Sequence, residues 1–351
     1  MKYCIFFIIF FIFSIIINDF LIKFFRKNKN NINNEGRWSI SKPTTGGISF
    51  FICFLISVMS LVYTTKQYSG FSFLEFYGIM FACITGFLAG LFDDAYKTVP
   101  WFKFAMQLLC AFILIYTNTY VKIFDMNLLN YAITVLWVVG IMNAINLLDN
   151  MDAISTIVSV SIISLLIIII AFYYNINHPY LFILIGVLAS LFGFLKFNWY
   201  PSKAYMGDTG SIFLGIFLAA FGIIFIWNFQ IPDNIVMPLI PNLLAPVIIF
   251  SLPIIDTTTV FFKRLIINKK SPFIGGKDHT THHLSYLGLS DRSVALIFAG
   301  ISFINIIMGL LIFKYSVIWN NFFTITFGSY FVLLFGFLFI ITNINNNLIK
   351  D

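Results

Sequence analysis

The apolar residues of this chain fall into long, nearly uninterrupted runs separated by short polar segments. Eleven such runs follow one another: 3–24, 46–65, 72–91, 101–120, 126–146, 153–174, 179–195, 210–228, 236–262, 293–313 and 321–342. A helix that crosses the hydrocarbon core needs about 20 mostly apolar residues, and it satisfies its own backbone hydrogen bonds in lipid. The pattern predicts an all-α, polytopic membrane bundle of about eleven transmembrane helices, with ten as the alternative count.

Composition favours a single membrane domain. Hydrophobic residues make up 60% of the chain and charged residues 10%, and the mean hydropathy is +0.94, whereas a soluble domain contains roughly 25% charged residues. We therefore expect one integral membrane domain over residues 1–351. The first run is long for a signal peptide, has no small-residue cleavage site and precedes a basic stretch, so we expect it to remain as a span.

Basic residues are divided unequally between the two sides of such a bundle. Lys2, Lys66, Lys122 and Lys314 fall on the N-terminal side, and the other seventeen of the 21 Lys and Arg residues fall on the opposite side. The positive-inside rule makes that second side cytoplasmic and places the N-terminus outside. The net charge of +7 thus reflects topology, and no basic patch with its own fold suggests a nucleic-acid partner.

Most acidic and histidine residues are predicted on that same cytoplasmic side. Its loops lie near 25–45, 92–103, 146–153, 196–210 and 263–292. The polar residues at or beside these loops are Asp93, Asp94, Asp149, Asp152, Asp208, Asp278, His279, His282 and His283. Ionisable residues in or near a membrane are costly and are usually functional, so we expect one polar site at this face.

Two adjacent carboxylates end the third run. Asp93 and Asp94 repel each other unless a cation or a shared proton intervenes, and Lys103 and Gln107 stand one turn apart on the next helix. An exposed loop that caps the next helix is the simpler interpretation. It explains one carboxylate better than two.

A stripe of polar residues follows at three-residue spacing. Asn143, Asn146, Asp149 and Asp152 occupy neighbouring turns at the end of an apolar span. Hydrogen bonds between helices would explain the asparagines alone. The full stripe favours a functional site.

A Gly-Asp-Thr-Gly-Ser turn opens the eighth run. Gly207 and Gly210 would let the backbone approach a ligand, Lys203 precedes them, and a helix start suits a phosphate. Asp208 fits beside a phosphate if a divalent cation bridges the two. The alternative is an ordinary Asp N-cap.

The last polar loop contains three of the four histidines of the chain. His279, His282 and His283 follow Lys277 in the segment KDHTTHH. His279 and His283 could form half of a zinc site, but the loop has no HExxH glutamate and no cysteine. Binding of phosphate or substrate by imidazoles, neutral or protonated, is favoured over zinc and over a merely solvated loop. Together the motifs suit phosphoryl transfer at a membrane surface.

Five motifs in this order resemble the polyprenyl-phosphate N-acetylhexosamine-1-phosphate transferase superfamily. They are PTTGGISF, GLFDDAYKTVPWFKFAMQ, NAINLLDNMDAIS, FNWYPSKAYMGDTGS and PIIDTTTVFFKRLIINKKSPFIGGKDHTTHH. The likeness spans residues 37 to about 290. The resemblance implies an enzyme that transfers a sugar-1-phosphate from a UDP-sugar to a polyprenyl phosphate and releases UMP. The branch that makes undecaprenyl-diphospho-N-acetylglucosamine for cell-surface glycans is the most similar. Homodimers are common in that superfamily.

The resemblance also implies roles for individual residues. It implies Mg²⁺ as cofactor, with Mn²⁺ as the alternative, held by Asp208 and Asp149. The catalytic residues would be Asp93, Asp94, Asp149, Asp152, Asp208 and His282. The substrate-binding residues would be Lys42, Lys103, Gln107, Asn143, Asn146, Asn198, Lys203, Gly207, Lys277, His279 and His283. The acceptor phosphate is already largely dianionic at neutral pH, since its second pKa is about 6, so the Asp93/Asp94 pair has an alternative role in positioning a cation or Lys103.

The sequence departs from the family pattern in two places. Asn150 and Ala153 stand where the family has glycines, so that turn either needs less positive φ or has altered geometry. The histidine loop reads HTTHH rather than HxHH, which leaves open whether His279 or His282 has the main role in this loop.

Other functions compete with this one. Within the same enzyme class these are phospho-N-acetylmuramoyl-pentapeptide transfer and transfer of a modified sugar such as a 6-deoxy-N-acetylhexosamine. A secondary transporter would place its polar residues near the bilayer midplane in related repeats. A purely structural membrane protein would not need so many interfacial carboxylates.

Overall fold

The fold is an assembly of helices in the computed structural model, which describes residues 1–27, 42–64, 71–230, 237–267, 269, 276 and 278–344. In chain order the helices are α1 (Lys2–Lys27), α2 (Gly46–Thr64), α3 (Phe73–Tyr96), α4 (Pro100–Tyr116), α5 (Asn127–Leu148), α6 (Ile154–Ile169), α7 (Tyr180–Asn198), α8 (Gly207–Gly222), α9 (Leu239–Ile249), α10 (Ser251–Phe262), α11 (Thr280–Tyr286), α12 (Asp291–Tyr315) and α13 (Asn321–Ile344). Across the described ranges, the only strand-like pairing is an isolated bridge between Thr44 and Tyr205.

Each of the eleven apolar runs is helical, which confirms the predicted class of fold. Among the described residues, eight helices are long and apolar enough to cross a membrane. The count rises to nine if α9 and α10, which are bent by 76° at a break, are taken together as one span. The apolar stretches Gly46–Leu61 and Pro100–Tyr116 are shorter than the others. The predicted count of eleven, or ten, is therefore approximate, because two of the helices are short and one is broken.

Helix α8 is the centre of the bundle. It packs against α2, α3, α5 and α6, and 94% of the most apolar window of its span is buried, compared with 17% in α13. Peripheral helices such as α1 and α13 expose Ile, Leu and Phe instead, as lipid-facing surfaces do. The turn that begins at Gly207 is thus built on the most enclosed of the described spanning helices.

The loops of the bundle meet in two groups at opposite ends. At one end, Lys2 donates to Asn177 and the Lys122 amide donates to Asn228. At the other end, the segment after Lys42 pairs with the segment before α8, since the Thr45 and Gly46 amides both donate to the Tyr205 carbonyl. We call this second end, which carries the polar motifs, the site end.

Candidate active site

Carboxylates from two helices converge on one ammonium group at the site end. The Lys103 Nζ lies 2.7 Å from Asp93 Oδ2 and 2.8 Å from Asp208 Oδ2. The other oxygen of Asp208 accepts from Asn146 Nδ2 at 2.9 Å, and Asn146 also donates to Ser211 at 2.8 Å. Both carboxylates are almost fully buried, so each needs such partners. We call Asp93, Asp94, Lys103, Asn146 and Asp208 the carboxylate cluster.

Asp94 holds the start of α8 from a different helix. Its carboxylate accepts from the backbone amides of Asp208 and Thr209 at 3.1 and 3.0 Å, and from Thr209 Oγ1 at 2.6 Å. A carboxylate at a helix start satisfies orphan amides and complements the helix dipole. The N-cap interpretation of Asp208 is wrong, because Asp94 does the capping and Asp208 lies within the first turn, after Gly207.

Asp93 has contacts of a different kind from its neighbour. Besides Lys103, it accepts from the Thr98 amide at 3.0 Å and from Thr98 Oγ1 at 2.5 Å. It therefore fixes the turn between α3 and α4 and also orients the ammonium. The two adjacent aspartates thus perform separate tasks.

An amide pair lies one helical turn away from the cluster. Gln107 Nε2 donates to Asn143 Oδ1 at 3.0 Å, and Asn143 Nδ2 donates to Gln107 Oε1 at 2.9 Å. Since Gln107 follows Lys103 by one turn and Asn143 precedes Asn146 by one turn, the pair joins α4 to α5 deeper in the bundle. Its geometry fits a link between helices. Neither side chain lines the cleft described next.

A cleft of about 590 Å³ opens next to the cluster. Its lining comes from four separate segments of the site end: Lys42, Thr44, Asp149, Asn150, Met151, Asp152, Asn198, Tyr200, Tyr205, Gly207, His282, Ser285, Tyr286 and Asp291. Gly207 links the cleft to the cluster, because a Cβ placed on it would lie 2.6 Å from Asp94 Oδ2 and its φ is +76°. Gly210 has another role, since it packs against Gly47 of α2 rather than facing a ligand.

One wall of the cleft is a hydrogen-bonded loop that precedes α8. Asp152 accepts from the Ser202 amide at 2.9 Å and from Ser202 Oγ at 2.8 Å. Lys42 donates to Ser202 Oγ at 3.0 Å and lies 4.0 Å from Asp152. Asn198 Oδ1 accepts from the Ala153 amide and from Thr156 Oγ1. Asp152 and Asn198 therefore use much of their hydrogen-bonding capacity to hold this wall together.

The turn between α5 and α6 keeps a left-handed residue although it lacks glycine. Ala153 has φ +67° and ψ −14°, whereas Asn150 is not among the residues with positive φ. The idea that this turn needs less positive φ is wrong at Ala153. The Ala153 amide donates to the side-chain oxygen Oδ1 of Asn198 at 3.1 Å, which stabilises a conformation that is unfavourable for alanine.

Asp256 of α10 is a site residue that the sequence interpretation missed. It is 1% exposed and accepts from Thr280 N at 2.8 Å and Thr280 Oγ1 at 2.6 Å, and its other oxygen lies 2.8 Å from His279 Nδ1. It therefore anchors the start of α11. The available signal was a lone carboxylate in an apolar span, in the motif PIIDTTTV, which is expensive unless it is used.

The histidine loop is also held by an ion pair. Arg264 contacts Asp278 through Nε at 2.7 Å and through its terminal nitrogen at 2.5 Å. Burial alone would raise the pKa of Asp278, but the hydrogen bonds and charge of Arg264 hold that pKa below its usual value. Asp278 is thus an anion at neutral pH, and it immediately precedes His279.

The three histidines differ in environment. His279 contacts Asp256, whereas His282 lines the cleft. Burial, reinforced by the charge of Lys263, lowers the pKa of His283 to about 4, so this imidazole is neutral at physiological pH. Of the two candidates for the leading role, His282 is the one that lines the cleft. Lys277, the predicted cation of this loop, lies outside the described residues.

Lys203 is not brought into the cleft. It lines a separate groove with residues of α1 and α7, and its backbone amide donates to the Phe197 carbonyl at 2.6 Å. Lys203 and Ser202 are consecutive, yet Ser202 contacts the cleft residue Asp152. The loop therefore separates the two concave surfaces.

The cluster is compatible with a divalent cation. Asp93 and Asp208 place one oxygen each within 2.8 Å of a single cationic nitrogen, so Lys103 marks a position that two hard carboxylate ligands share. Within the described part of the chain, no three His, Cys, Asp or Glu side chains form a ready metal cage. Magnesium is commonly bound by one or two carboxylates and substrate phosphates, without a protein cage. The second predicted ligand, Asp149, lines the cleft.

Comparison with known proteins gives concordant matches. A family model described as "Glycosyl transferase family 4" matches residues 76–226. A probable undecaprenyl-phosphate N-acetylglucosaminyl 1-phosphate transferase from Bacillus subtilis is 31% identical over 296 residues, which are 81% of this chain and 76% of the relative. The phospho-N-acetylmuramoyl-pentapeptide-transferase of Thermotoga maritima is 29% identical over 331 residues, 86% of this chain and 97% of the relative.

Buried carboxylates and an ammonium group lie beside a helix start that lines a cleft at one end of a membrane bundle. This arrangement is typical of a membrane-embedded phosphotransferase. The matched segment runs through the cluster and the turn at Gly207, where the two aspartates of α3 and Asp208 lie. This chain belongs to glycosyl transferase family 4.

Proposed function

We propose that the protein transfers N-acetylglucosamine-1-phosphate from UDP-N-acetylglucosamine to a polyprenyl phosphate, with undecaprenyl phosphate as the natural acceptor. The observation that carries this proposal is the pairing of Lys103 with both Asp93 and Asp208 beside Gly207, which opens to the cleft. The identity shared with the Bacillus subtilis relative supports the choice of sugar and lipid.

In the proposed reaction, an oxygen of the acceptor phosphate attacks the sugar-linked phosphorus of the donor. The bridging P–O bond breaks, and UMP leaves with the bridging oxygen. The product is a lipid diphosphate that carries the sugar. Since the acceptor phosphate has a second pKa of about 6, the attacking oxygen is already deprotonated at neutral pH. No side chain has to remove a proton.

The residues of the site then bind and orient charge. Lys103, held in place by Asp93, would contact the phosphate groups. Asp208, with Asp149 facing the cleft, would hold Mg²⁺ or Mn²⁺. The cation would supply neutralisation of diphosphate charge. His282 and Lys42, which line the cleft, would contact the donor.

Purified protein tests this proposal directly. With radiolabelled UDP-N-acetylglucosamine and polyprenyl phosphate, we expect label in an organic-soluble product and release of UMP. UDP-MurNAc-pentapeptide is the second donor, because the Thermotoga maritima relative is named for that transfer. Product from that donor alone would overturn the choice of sugar. Solute flux into vesicles without any lipid product would overturn the enzymatic proposal and favour a transporter.

We also propose that the site end faces the cytoplasm of a bacterial cell membrane and that the protein forms homodimers. The support for sidedness is the excess of Lys and Arg at that end. In a Cys4→Ser background, Lys97→Cys should react with a membrane-impermeant thiol reagent only in opened cells, and Lys314→Cys should react in intact cells. Light scattering in detergent would test the dimer.

A further inference from the structure

A second concave surface lies on the far side of the loop that walls the cleft. It has a volume of about 610 Å³ and is lined by Ile15, Ile16, Asp19, Phe20, Lys23, Lys196, Phe197 and Lys203. We call it the α1/α7 groove. Its volume lies within the range of about 300–1,000 Å³ that is usual for ligand sites.

The groove is divided into an apolar part and a basic part. Ile16 and Phe20 expose 59% and 64% of their surface on the outer face of α1. Lys23, Lys196 and Lys203 stand beyond them towards the site end. Asp19 pairs with Lys23 at 2.6 Å, so the lining residues retain a net charge of +2. An amphipathic anion with an apolar tail matches this division.

The walls of the groove are rigidly connected to the active-site turn. Ser14 donates to the Ser190 carbonyl at 2.8 Å, which joins α1 to α7. Asn18, one residue before Asp19, accepts from Thr45 Oγ1 at 2.8 Å. The Thr45 amide in turn donates to the Tyr205 carbonyl, two residues before Gly207. An occupant of the groove therefore contacts elements that position the turn.

The geometry points to the α1/α7 groove as a binding site for an anionic glycerophospholipid of the surrounding bilayer, whose phosphate contacts Lys23, Lys196 and Lys203 and whose tails lie along Ile16 and Phe20. The inference goes beyond the transferase activity and does not depend on it. Interfacial lysines attract anionic lipids. Here three of them share one concave surface that continues into an exposed apolar helix face.

The acceptor lipid is a less suitable occupant of this groove. Its phosphate must reach the donor, and the proposed contacts for that reaction lie at Lys103 and in the cleft. The loop that contains Ser202 separates the groove from the cleft. A phosphate beside Lys203 is therefore on the wrong side of the loop for transfer.

Native mass spectrometry of the full chain tests the site without any measurement of turnover. The protein is exchanged into detergent with equal amounts of phosphatidylglycerol and phosphatidylcholine. We expect one retained phosphatidylglycerol, and loss of that lipid in K23Q/K196Q/K203Q. Each lysine near an anionic lipid contributes about a fivefold preference, so the affinity should fall by on the order of a hundredfold.

Two matched variants separate charge from folding. K23R/K196R/K203R keeps the charges and should keep the lipid. K2Q/K122Q/K314Q removes three lysines at the opposite end and should also keep it. Equal retention of both lipids by the wild type, or undiminished phosphatidylglycerol in K23Q/K196Q/K203Q, would overturn the proposal. Displacement of phosphatidylglycerol by stoichiometric polyprenyl phosphate would assign the groove to the acceptor and overturn it too.

Discussion

The starts of α8 and α11 are built by the same device. In each, the amide and the hydroxyl of one threonine donate to a carboxylate from another helix. In α8, Asp94 of α3 accepts both hydrogen bonds from Thr209, and in α11, Asp256 of α10 accepts both from Thr280. Both helices begin at the site end, and both carry residues of the candidate site.

The two starts differ in what remains for chemistry. At α8 the capping carboxylate is Asp94, and Asp208 beside it contacts Lys103 and Asn146. At α11 the capping carboxylate also contacts His279, the residue that precedes the helix. The carboxylate fixes the ring orientation of His279, while His282 further along lines the cleft. At each helix start, the capping carboxylate (Asp94 or Asp256) therefore has a structural role, and a different residue (Asp208 or His282) is available to contact the substrate.

Replacement of Asp208 should have the largest effect. Asp208→Asn removes a buried charge opposite Lys103 but keeps the size of the side chain. We expect transfer of labelled sugar to fall by about 10²–10³-fold, as when a charge-stabilising group is lost, and the dependence on magnesium to weaken. The thermal midpoint should change little, because Asp94 holds the helix start.

The control for this variant is Asp19→Asn, which removes an exposed carboxylate of α1 that lines the α1/α7 groove and not the cleft. It should retain wild-type activity. An Asp208→Asn protein with wild-type turnover across a magnesium titration would contradict the role of Asp208 in cation binding.

Replacement of Asp94 should have the next largest effect, through the position of α8. Asp94→Ala removes the cap, which costs about 0.5–2 kcal/mol of unfolding free energy, and a displacement of about 1 Å in a site can cost 10²-fold in rate. Asp94→Asn retains an acceptor oxygen and should be milder in both measurements. Rate and thermal midpoint are measured together for the two variants.

The pH profile of Asp94→Asn separates capping from general-base catalysis. A missing base would be partly replaced by hydroxide, so activity would recover at high pH. We expect no such recovery, because the Asp94 carboxylate is occupied by three donors of α8. Partial rescue above neutral pH would overturn the capping role.

The sequence predicted the helical class and the approximate positions of the helices, since hydropathy over about 20 residues reports directly on a bilayer. It could not predict which of Asp93 and Asp94 faces Lys103, because adjacent residues differ only in helical phase. It also assigned Lys203 to phosphate in the active site, whereas that side chain lies across a loop. Contacts between distant segments, such as Asp256 with Thr280, leave no periodic signal.

Asp256→Asn should have an intermediate effect at the other helix start. The amide keeps an oxygen for Thr280, but its nitrogen cannot accept from His279 Nδ1, so the tautomer of His279 should change. We expect about tenfold lower activity, the lower range for loss of a partner that orients a histidine. Nitrogen NMR of labelled histidine reads the tautomer. An unchanged tautomer with reduced activity would contradict the positioning role.

Ala153→Gly should have the smallest effect and the opposite sign. The left-handed conformation costs alanine about 1–2 kcal/mol, and glycine avoids this cost. Glycine also lowers the unfolding free energy by about 0.4–1 kcal/mol, because it gives the unfolded chain more conformational freedom. The balance should raise the unfolding free energy by about 0.5 kcal/mol and the thermal midpoint by about 1 °C.

Ala144→Gly is the matched control, because Ala144 is as buried as Ala153 but lies inside α5. There glycine should destabilise by about 0.5–1 kcal/mol. Opposite signs in this pair would show that backbone conformation, rather than the lost methyl group, decides the effect at Ala153. A loss of stability in both variants would mean that the hydrogen bond from the Ala153 amide to Asn198 does not hold the turn at positive φ.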